Sequence, residues 1–169
     1  TRAIEQPPRP MAASLSDGII RGGYWLRPPT PQCEVAIVYQ GVLANEAIEA
    51  TGKLGSDGNN IAVLAVTSAD RLNAGWHGAQ RGRRKGDPGA NSHIEALLAD
   101  LPRHAGLVTV IDGHPATLSW IGGVRGHRTI SLGVEHFGQT GTVRDLYAHF
   151  GIDAVSIATA ARSFFGGRR

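Results

Sequence analysis

Polar residues follow the ends of the strong apolar runs in this sequence, and their types could do chemistry. The set has six candidates with amide, hydroxyl, carboxylate or imidazole groups or a flexible glycine: Gln40, Gly41, Thr67, Asp112, His114 and Gln139. Because open α/β sheets bind ligands in the crevice outside the carboxyl ends of their strands, this set predicts a strand-end crevice for a small ligand or a partner protein. The simpler interpretation is that Asp112 and Thr67 cap the helices that follow them.

Other catalytic constellations are missing from the sequence. The seven histidines fall at no recognised metal-ligand spacing, and neither a G-x-S-x-G elbow nor a G-x-x-x-x-G-K loop is present. Residues 57–60 have the composition of thiamine diphosphate-binding elements, but those elements must be separated by a helix and a strand, so we expect an ordinary turn. Cys33, as the single cysteine, excludes an internal disulfide and indicates a reducing, cytoplasmic compartment.

The elements that must position these residues alternate between strand and helix. Apolar runs predict strands over residues 34–40, 61–66 and 107–111, a last strand is expected over 128–132, and a short edge strand is expected within 19–26. Helical spacing or capping residues predict helices over 42–54, 92–101, 116–121 and 142–150, a short helix after Ser68 and a last helix after Asp153. Residues 75–89 are basic, glycine-rich and aperiodic, which predicts a mobile surface loop.

Length and charge limit the function classes. A chain of 169 residues suits one domain, which we place at residues 18–169. Residues 1–17 contain Pro7, Pro8 and Pro10, so they predict an arm without regular helix that joins a preceding domain. The net charge is +3, but no aromatic residues interleave with the basic run, and no apolar run could cross a bilayer. We therefore expect neither nucleic-acid nor membrane binding.

Five segments, in their order along the chain, resemble the C-terminal domain of the transketolase superfamily over roughly residues 18–165: GGYWLR, EVAIVYQGVLANEAIEATGKL, NIAVLAVTSADRL, LVTVIDGHPATLSW and SLGVEHFGQTGTVRDLYAHFGIDAVSIATAA. The VTS of residues 66–68 with Leu72, together with IIRGGYWL, is similar to the homodimeric decarboxylase component of pyruvate dehydrogenase. The FGQ of residues 137–139, leading to FGI at 150–152, is similar to transketolase itself.

The resemblance implies a fold, and the sequence differs from the family pattern at one position. It implies an α/β domain with three α/β/α layers and a five-stranded, mostly parallel mixed sheet, whose first strand is an antiparallel edge strand. Many members of the family carry a Gly-Ser pair after the second strand, where this chain has Gly41-Val42. The departure removes a hydroxyl that an anion site at this helix start would use.

The resemblance also implies where the chemistry of a parent enzyme lies. In that family thiamine diphosphate and magnesium bind between the two preceding domains of a homodimer, so no catalytic, cofactor-binding or metal-binding residue is expected in this chain. The domain would stiffen the dimer of a 2-oxo acid decarboxylating dehydrogenase component. Transketolase proper and a standalone binding module are the alternatives. The expected partners are the preceding domains, a second subunit and an acyltransferase component.

Overall fold

The computed structural model describes residues 12–55 and 60–165. Most of the turn expected over residues 57–60 therefore lies outside the described residues, as do Pro7, Pro8 and Pro10. Within the described ranges the chain forms five strands and eight α-helices.

The strands form one mixed sheet. They are β1 (Gly23–Arg27), β2 (Val35–Gln40), β3 (Ile61–Val66), β4 (Gly106–Ile111) and β5 (Thr129–Leu132). The order across the sheet is β1-β3-β2-β4-β5, and β1 pairs antiparallel with β3 while the other pairs are parallel. The central strands are continuous apolar runs because helices cover both of their faces. The prediction of a five-stranded sheet with an antiparallel edge strand is confirmed.

Helices cover both faces of the sheet. They are α1 (Ala13–Arg21), α2 (Ala44–Gly55), α3 (Ala69–Arg84), α4 (His93–Leu97), α5 (Ala116–Ser119), α6 (Ile121–Arg125), α7 (Val143–His149) and α8 (Ala154–Arg162). One core contains side chains of α2, α7 and α8, and the other contains side chains of α3 to α6. Leu43, Ala47, Ala50 and Leu54 are all fully buried, as their helical spacing predicts.

Local capping residues explain where several helices begin. Ser92 and Glu95 form the predicted capping box at the start of α4, in which each side chain bonds the backbone of the other residue. Thr142 accepts a hydrogen bond from the backbone of Asp145 at the start of α7. Asp153 accepts one from Ser156 at the start of α8, as the sequence predicts.

The first helix corrects the prediction for residues 1–17. α1 begins at Ala13, inside the segment expected to hold no regular helix, and runs through Ile19, where the edge strand was expected to start. Gly18 explains the packing, because a Cβ there would lie 2.9 Å from the Cβ of Tyr24 in β1. The three prolines that argued against a helix all precede Ala13, so they do not interrupt α1.

The third helix corrects the prediction of a loop over residues 75–89. α3 continues to Arg84, and its inward stripe is made of Ala69, Leu72 and Ala79, with Trp76 packed beside them. Gly82 lies so close to the next segment that a Cβ would be 2.8 Å from the Cβ of Ala90. Small residues thus allow close packing, although glycine lowers helix propensity and interrupts the hydrophobic period by which a helix is predicted.

We call the end of the sheet where β2 to β5 begin the amino edge. Side chains of the described residues cover it. Phe164 lies against Gly106 so closely that a Cβ on the glycine would overlap the ring. The guanidinium carbon of Arg128 lies 5.3 Å from the centre of the same ring. Cys33 is fully buried at this edge, and its burial raises the pKa of the thiol, so it is an unreactive core residue.

His127 joins two strands at the amino edge. It is 6% exposed, and its Nδ1 donates to the carbonyl oxygen of Ala105 over 2.9 Å. Burial lowers the pKa of the imidazole below its usual value, and the charges of Arg125 and Arg103 lower it further. Its Nε2 has no hydrogen-bond partner among the described residues. The folded chain therefore favours the neutral ring more than the unfolded chain does.

Candidate functional site

We call the opposite end of the sheet, where β2 to β5 end, the carboxyl edge. The register pairs Gln40 at the end of β2 with Ile111 at the end of β4. From β2 the chain crosses to β3 on one side, and from β4 it crosses to β5 on the other. The junction of β2 and β4 is therefore the topological switch point, where open α/β sheets bind ligands. Five of the six predicted residues lie at strand ends along this edge.

Gln40 and Gly41 stand at the switch point itself. The Gln40 side chain is half-buried, and its Oε1 has no hydrogen-bond partner among the described residues. Gly41 has a φ of +70°, which favours glycine, and opens the short 3-10 turn Gly41–Leu43 that precedes α2. No atom lies within 4 Å of the position that a Cβ on Gly41 would take. Gln40 thus keeps a buried carbonyl oxygen without a partner in the described part of the chain.

Thr67 is used by the fold. Its Oγ1 donates to the carbonyl oxygen of Ile19 over 2.7 Å, which anchors the end of α1 beside β3. The cap of the following helix is Ser68, whose Oγ accepts from the backbone nitrogen of Arg71 at 3.3 Å. The interpretation of Thr67 as a cap is therefore wrong, because its hydroxyl already holds α1.

His114 is also used by the fold, and it takes the capping role expected of Asp112. The Nδ1 of His114 accepts from the backbone nitrogen of Ala116 at 3.2 Å, at the start of α5. Asp112 is exposed and has no hydrogen-bond or ion-pair partner among the described residues. Gly133 lets the end of β5 approach this turn, since a Cβ there would lie 2.5 Å from the carbonyl oxygen of Gly113.

Asp112 and Gln139 meet at a pocket of about 320 Å³ beside the end of β4. Gln139 arrives on the segment that follows β5, together with His136 and Phe137. The apolar part of the lining comes mostly from α7 and its flanks: Val134, Val143, Leu146, Tyr147, Phe150 and Ile152. The structure thus brings Asp112 and Gln139 together and keeps Thr67 and His114 out of the pocket.

The wall formed by α7 is the part of the site that sequence reasoning missed. The apolar period of Val143, Leu146, Tyr147 and Phe150 indicated a core-facing stripe. The stripe does reach the core, but its edge is also the pocket wall. Periodicity could have identified these residues, although it gives no sign of which of them border open space.

The pocket lining carries few charged groups. Its lining contains one carboxylate, Asp112, and neither lysine nor arginine. No group of three or more metal-ligating side chains occurs among residues 12–55 and 60–165. This donor set does not fit magnesium and a diphosphate, which need several oxygen ligands and cationic or backbone donors. The arrangement suits an apolar group with one or two polar contacts.

No helix in the described part of the chain is long and apolar enough to span a bilayer.

The topology defines a three-layer α/β domain with an antiparallel edge strand, and comparisons with known proteins give its family. The family model described as the transketolase-like TK C-terminal domain matches residues 22–153. The chain belongs to this family. Among curated proteins, no sequence matches significantly.

Solved transketolases share the fold. The enzyme from Leishmania mexicana is 19% identical with a TM-score of 0.62, and the match covers 88% of this chain and 18% of that one. The enzyme from Campylobacter jejuni subsp. jejuni NCTC 11168 is 17% identical with a TM-score of 0.59, over 85% of this chain and 18% of that one. A split-gene transketolase, described as an inactive beta4 tetramer, is 19% identical with a TM-score of 0.60, over 87% of this chain and 43% of that one.

Proposed function

We propose that this chain is the non-catalytic C-terminal domain of a thiamine-diphosphate-dependent enzyme, and that it organises the dimer of that enzyme. One observation carries the proposal: the match covers 88% of this chain but only 18% of a complete transketolase chain. The residues that bind cofactor and substrate in such an enzyme would lie in the remaining four-fifths. Thiamine diphosphate would supply the carbon–carbon bond cleavage there by acting as an electron sink.

The finer proposal is a 2-oxo acid decarboxylating dehydrogenase component of the pyruvate dehydrogenase kind. It rests on the resemblance of Val66, Thr67 and Ser68, with Leu72, to that subgroup. The proposed partners are the preceding domains, a second subunit and an acyltransferase component. Transketolase proper is the alternative, since the solved relatives named above are transketolases.

The proposed role of this chain's own residues is structural: they fix its helices and turns against the sheet. Thr67 fixes α1 against the end of β3, and His114 fixes the turn after β4. We propose that residues 1–17 join the domain to the preceding one, with α1 as the first packed element of the join. A stiff join of this kind would keep the neighbouring domains in register across a dimer.

The test is an activity assay on the longer polypeptide whose reading frame contains these 169 residues. With thiamine diphosphate and magnesium, we expect pyruvate to reduce an artificial electron acceptor. Ketol transfer between sugar phosphates without pyruvate oxidation would favour the transketolase alternative. Turnover of a 2-oxo acid or a ketose by the 169-residue chain alone would contradict the proposed non-catalytic role.

A further inference from the structure

Three segments of the chain meet to form the pocket beside the end of β4. Asp112 lies on the turn after β4, and the backbone nitrogen of Val134, on the segment after β5, donates to the carbonyl oxygen of Gly113 over 2.8 Å. α7 supplies another wall, and the backbone nitrogen of Ile152 is tied to it by a 2.9 Å hydrogen bond to the carbonyl oxygen of Tyr147. Hydrogen bonds of the fold thus position the walls before any ligand binds.

Three aromatic side chains with different exposures line this pocket. Tyr147 is buried, Phe150 is half-buried, and Phe137 is fully exposed. The imidazole of His149 packs edge-to-face with the ring of Phe150, with 4.9 Å between the ring centres. The faces of aromatic rings carry partial negative charge, so they attract cations as well as apolar groups. The rings therefore favour an uncharged or positively charged ligand over an anion.

One uncompensated carboxylate lines the pocket. Asp112 is exposed, the lining contains neither lysine nor arginine, and no group among residues 12–55 and 60–165 forms a hydrogen bond or an ion pair with its side chain. A neutral apolar ligand would displace water from this carboxylate and give it no partner, which is unfavourable. An ammonium group would replace that water with charge-assisted hydrogen bonds. The charge of the lining therefore selects a cation.

We propose that this pocket binds a small organic amine, whose protonated amino group pairs with Asp112 and whose apolar body packs against Leu146, Tyr147 and Phe150. Gln139 supplies a second acceptor in the lining, and an ammonium group has three N–H donors with which to bond more than one oxygen. The volume of about 320 Å³ lies at the small end of the range for ligand pockets, so we expect an amine with no more than one ring.

Binding of three matched probes to the 169-residue chain tests the proposal. The probes are phenethylamine, its neutral counterpart phenethyl alcohol and its anionic counterpart phenylpropanoate. Titrations followed by NMR give the affinity of each probe and the backbone amides whose chemical shifts change. We expect the amine to shift amides of the pocket lining and to bind about fivefold more tightly than the alcohol, because Asp112 is exposed and an exposed ion pair is worth little more. Phenylpropanoate should bind more weakly than the alcohol.

Two substitutions distinguish the carboxylate of Asp112 from negative charge in general. Asp112→Asn keeps the shape of the side chain and removes its charge, so the preference for the amine over the alcohol should be lost. Glu135→Gln removes an exposed carboxylate from the neighbouring segment, outside the lining, and should leave most of the preference intact. Amide shifts that match those of the parent chain away from the pocket show that each variant is folded.

Several results would overturn the proposal. Equal affinities for the amine and the alcohol, tighter binding of phenylpropanoate, or no shifts with any probe would mean that the pocket does not select amines. Shifts confined to other surfaces, or an Asp112→Asn variant that keeps the preference, would place the amine elsewhere. Binding of the amine only after Phe137→Ser abolishes self-association would make a second copy of this chain the occupant.

The proposal goes beyond the proposed function and does not rest on it. All of these measurements use the 169-residue chain without thiamine diphosphate, so their outcome is independent of the activity assay on the longer polypeptide.

Discussion

The two edges of this sheet differ in how far the domain completes them. At the amino edge, Phe164 packs onto Gly106, Arg128 lies over the ring, and His127 ties the starts of β4 and β5 together. At the carboxyl edge, Phe137 is exposed and Gln40 keeps an unpaired oxygen. One edge is stabilised by the domain itself, and the other holds groups that the domain leaves unsatisfied.

This difference separates stability from function within one sheet. Both edges are built from the same four parallel strands, so the strands themselves do not create the contrast. It comes from the segments that cover the ends: the last turn after α8 covers one edge, while the loop after β5 leaves the other open. Substitutions at the amino edge should therefore act on folding, and those at the carboxyl edge should act mainly on association.

The largest expected effect is a difference in stability between substitutions of two glycines that lie near opposite ends of β4. Gly106→Ala would place a methyl group inside the Phe164 ring, and we expect it to destabilise the chain by about 1–3 kcal/mol through overpacking. Gly113→Ala would meet only the Ile111 side chain at 3.8 Å, so it should change stability by less than about 0.5 kcal/mol. Urea unfolding of both variants measures the difference. Equal losses of unfolding free energy for the two variants would show that the amino edge is not more tightly packed than the carboxyl edge.

The next effect is a pH dependence that belongs to the amino edge. The pKa of His127 is lowered in the folded chain by burial and by Arg125 and Arg103, so the unfolded chain binds the proton more tightly. Its contribution to stability is therefore complete above the ordinary pKa of about 6.5 and is lost as the pH falls from there through the folded pKa. One such group changes stability by at most about 1.4 kcal/mol per pH unit.

His127→Asn isolates this dependence, because the asparagine amide can still donate to the carbonyl oxygen of Ala105 without titrating. Unfolding free energies measured between pH 7 and pH 5 should fall less steeply for the variant than for the parent chain. His104, which is exposed on the preceding loop, gives the control substitution His104→Asn. An unchanged slope for His127→Asn would contradict the assignment.

A smaller effect is expected at the carboxyl edge, and it has the opposite sign. Gln40→Met keeps the length of the side chain and removes the unpaired Oε1. In the 169-residue chain we expect a gain of up to about 1 kcal/mol, because the variant no longer buries this acceptor without a donor. Thermal unfolding measures the gain. A loss of stability would mean that the amide already makes a useful bond in this domain.

The smallest effect should be that of Phe137→Ser on the 169-residue chain alone. A fully exposed ring makes little contribution to folding, so we expect less than about 0.5 kcal/mol, as for Val155→Ser. Urea unfolding of the two variants provides the measurement. A clear loss for Phe137→Ser alone would place the ring in the packing of the domain and remove the contrast between the edges.

Sequence patterns predicted the sheet because its central strands have a strong hydrophobic pattern. β2, β3 and β4 are continuous apolar runs, and each is followed by turn residues or a cap. α1 and α3 were missed for different reasons. The prolines that argued against a helix all lie before Ala13, where α1 begins. In α3 the glycines interrupt the hydrophobic period, and one of them, Gly82, packs closely against Ala90.

The sequence predicted where the candidate site lies, but it did not predict the hydrogen bonds or the pocket found there. The rule about strand ends located Gln40, Asp112 and Gln139 at one edge. It could not show that Thr67 holds α1, because that bond joins residues 48 positions apart. It also gave no sign of the pocket beside Asp112, since α7 reaches that place only through the packing of the whole domain.

The contact between α2 and α8 has a consequence for biosynthesis. α2 is the first helix after β2 and α8 is the last helix described, yet they pack together, and Arg162 donates to the carbonyl oxygen of Lys53 over 3.2 Å. The part of this face that α8 covers thus stays open until nearly the whole domain has left the ribosome. Contacts so distant in sequence slow folding. Nascent chains that stall before α8 should therefore expose Leu54 and bind chaperones.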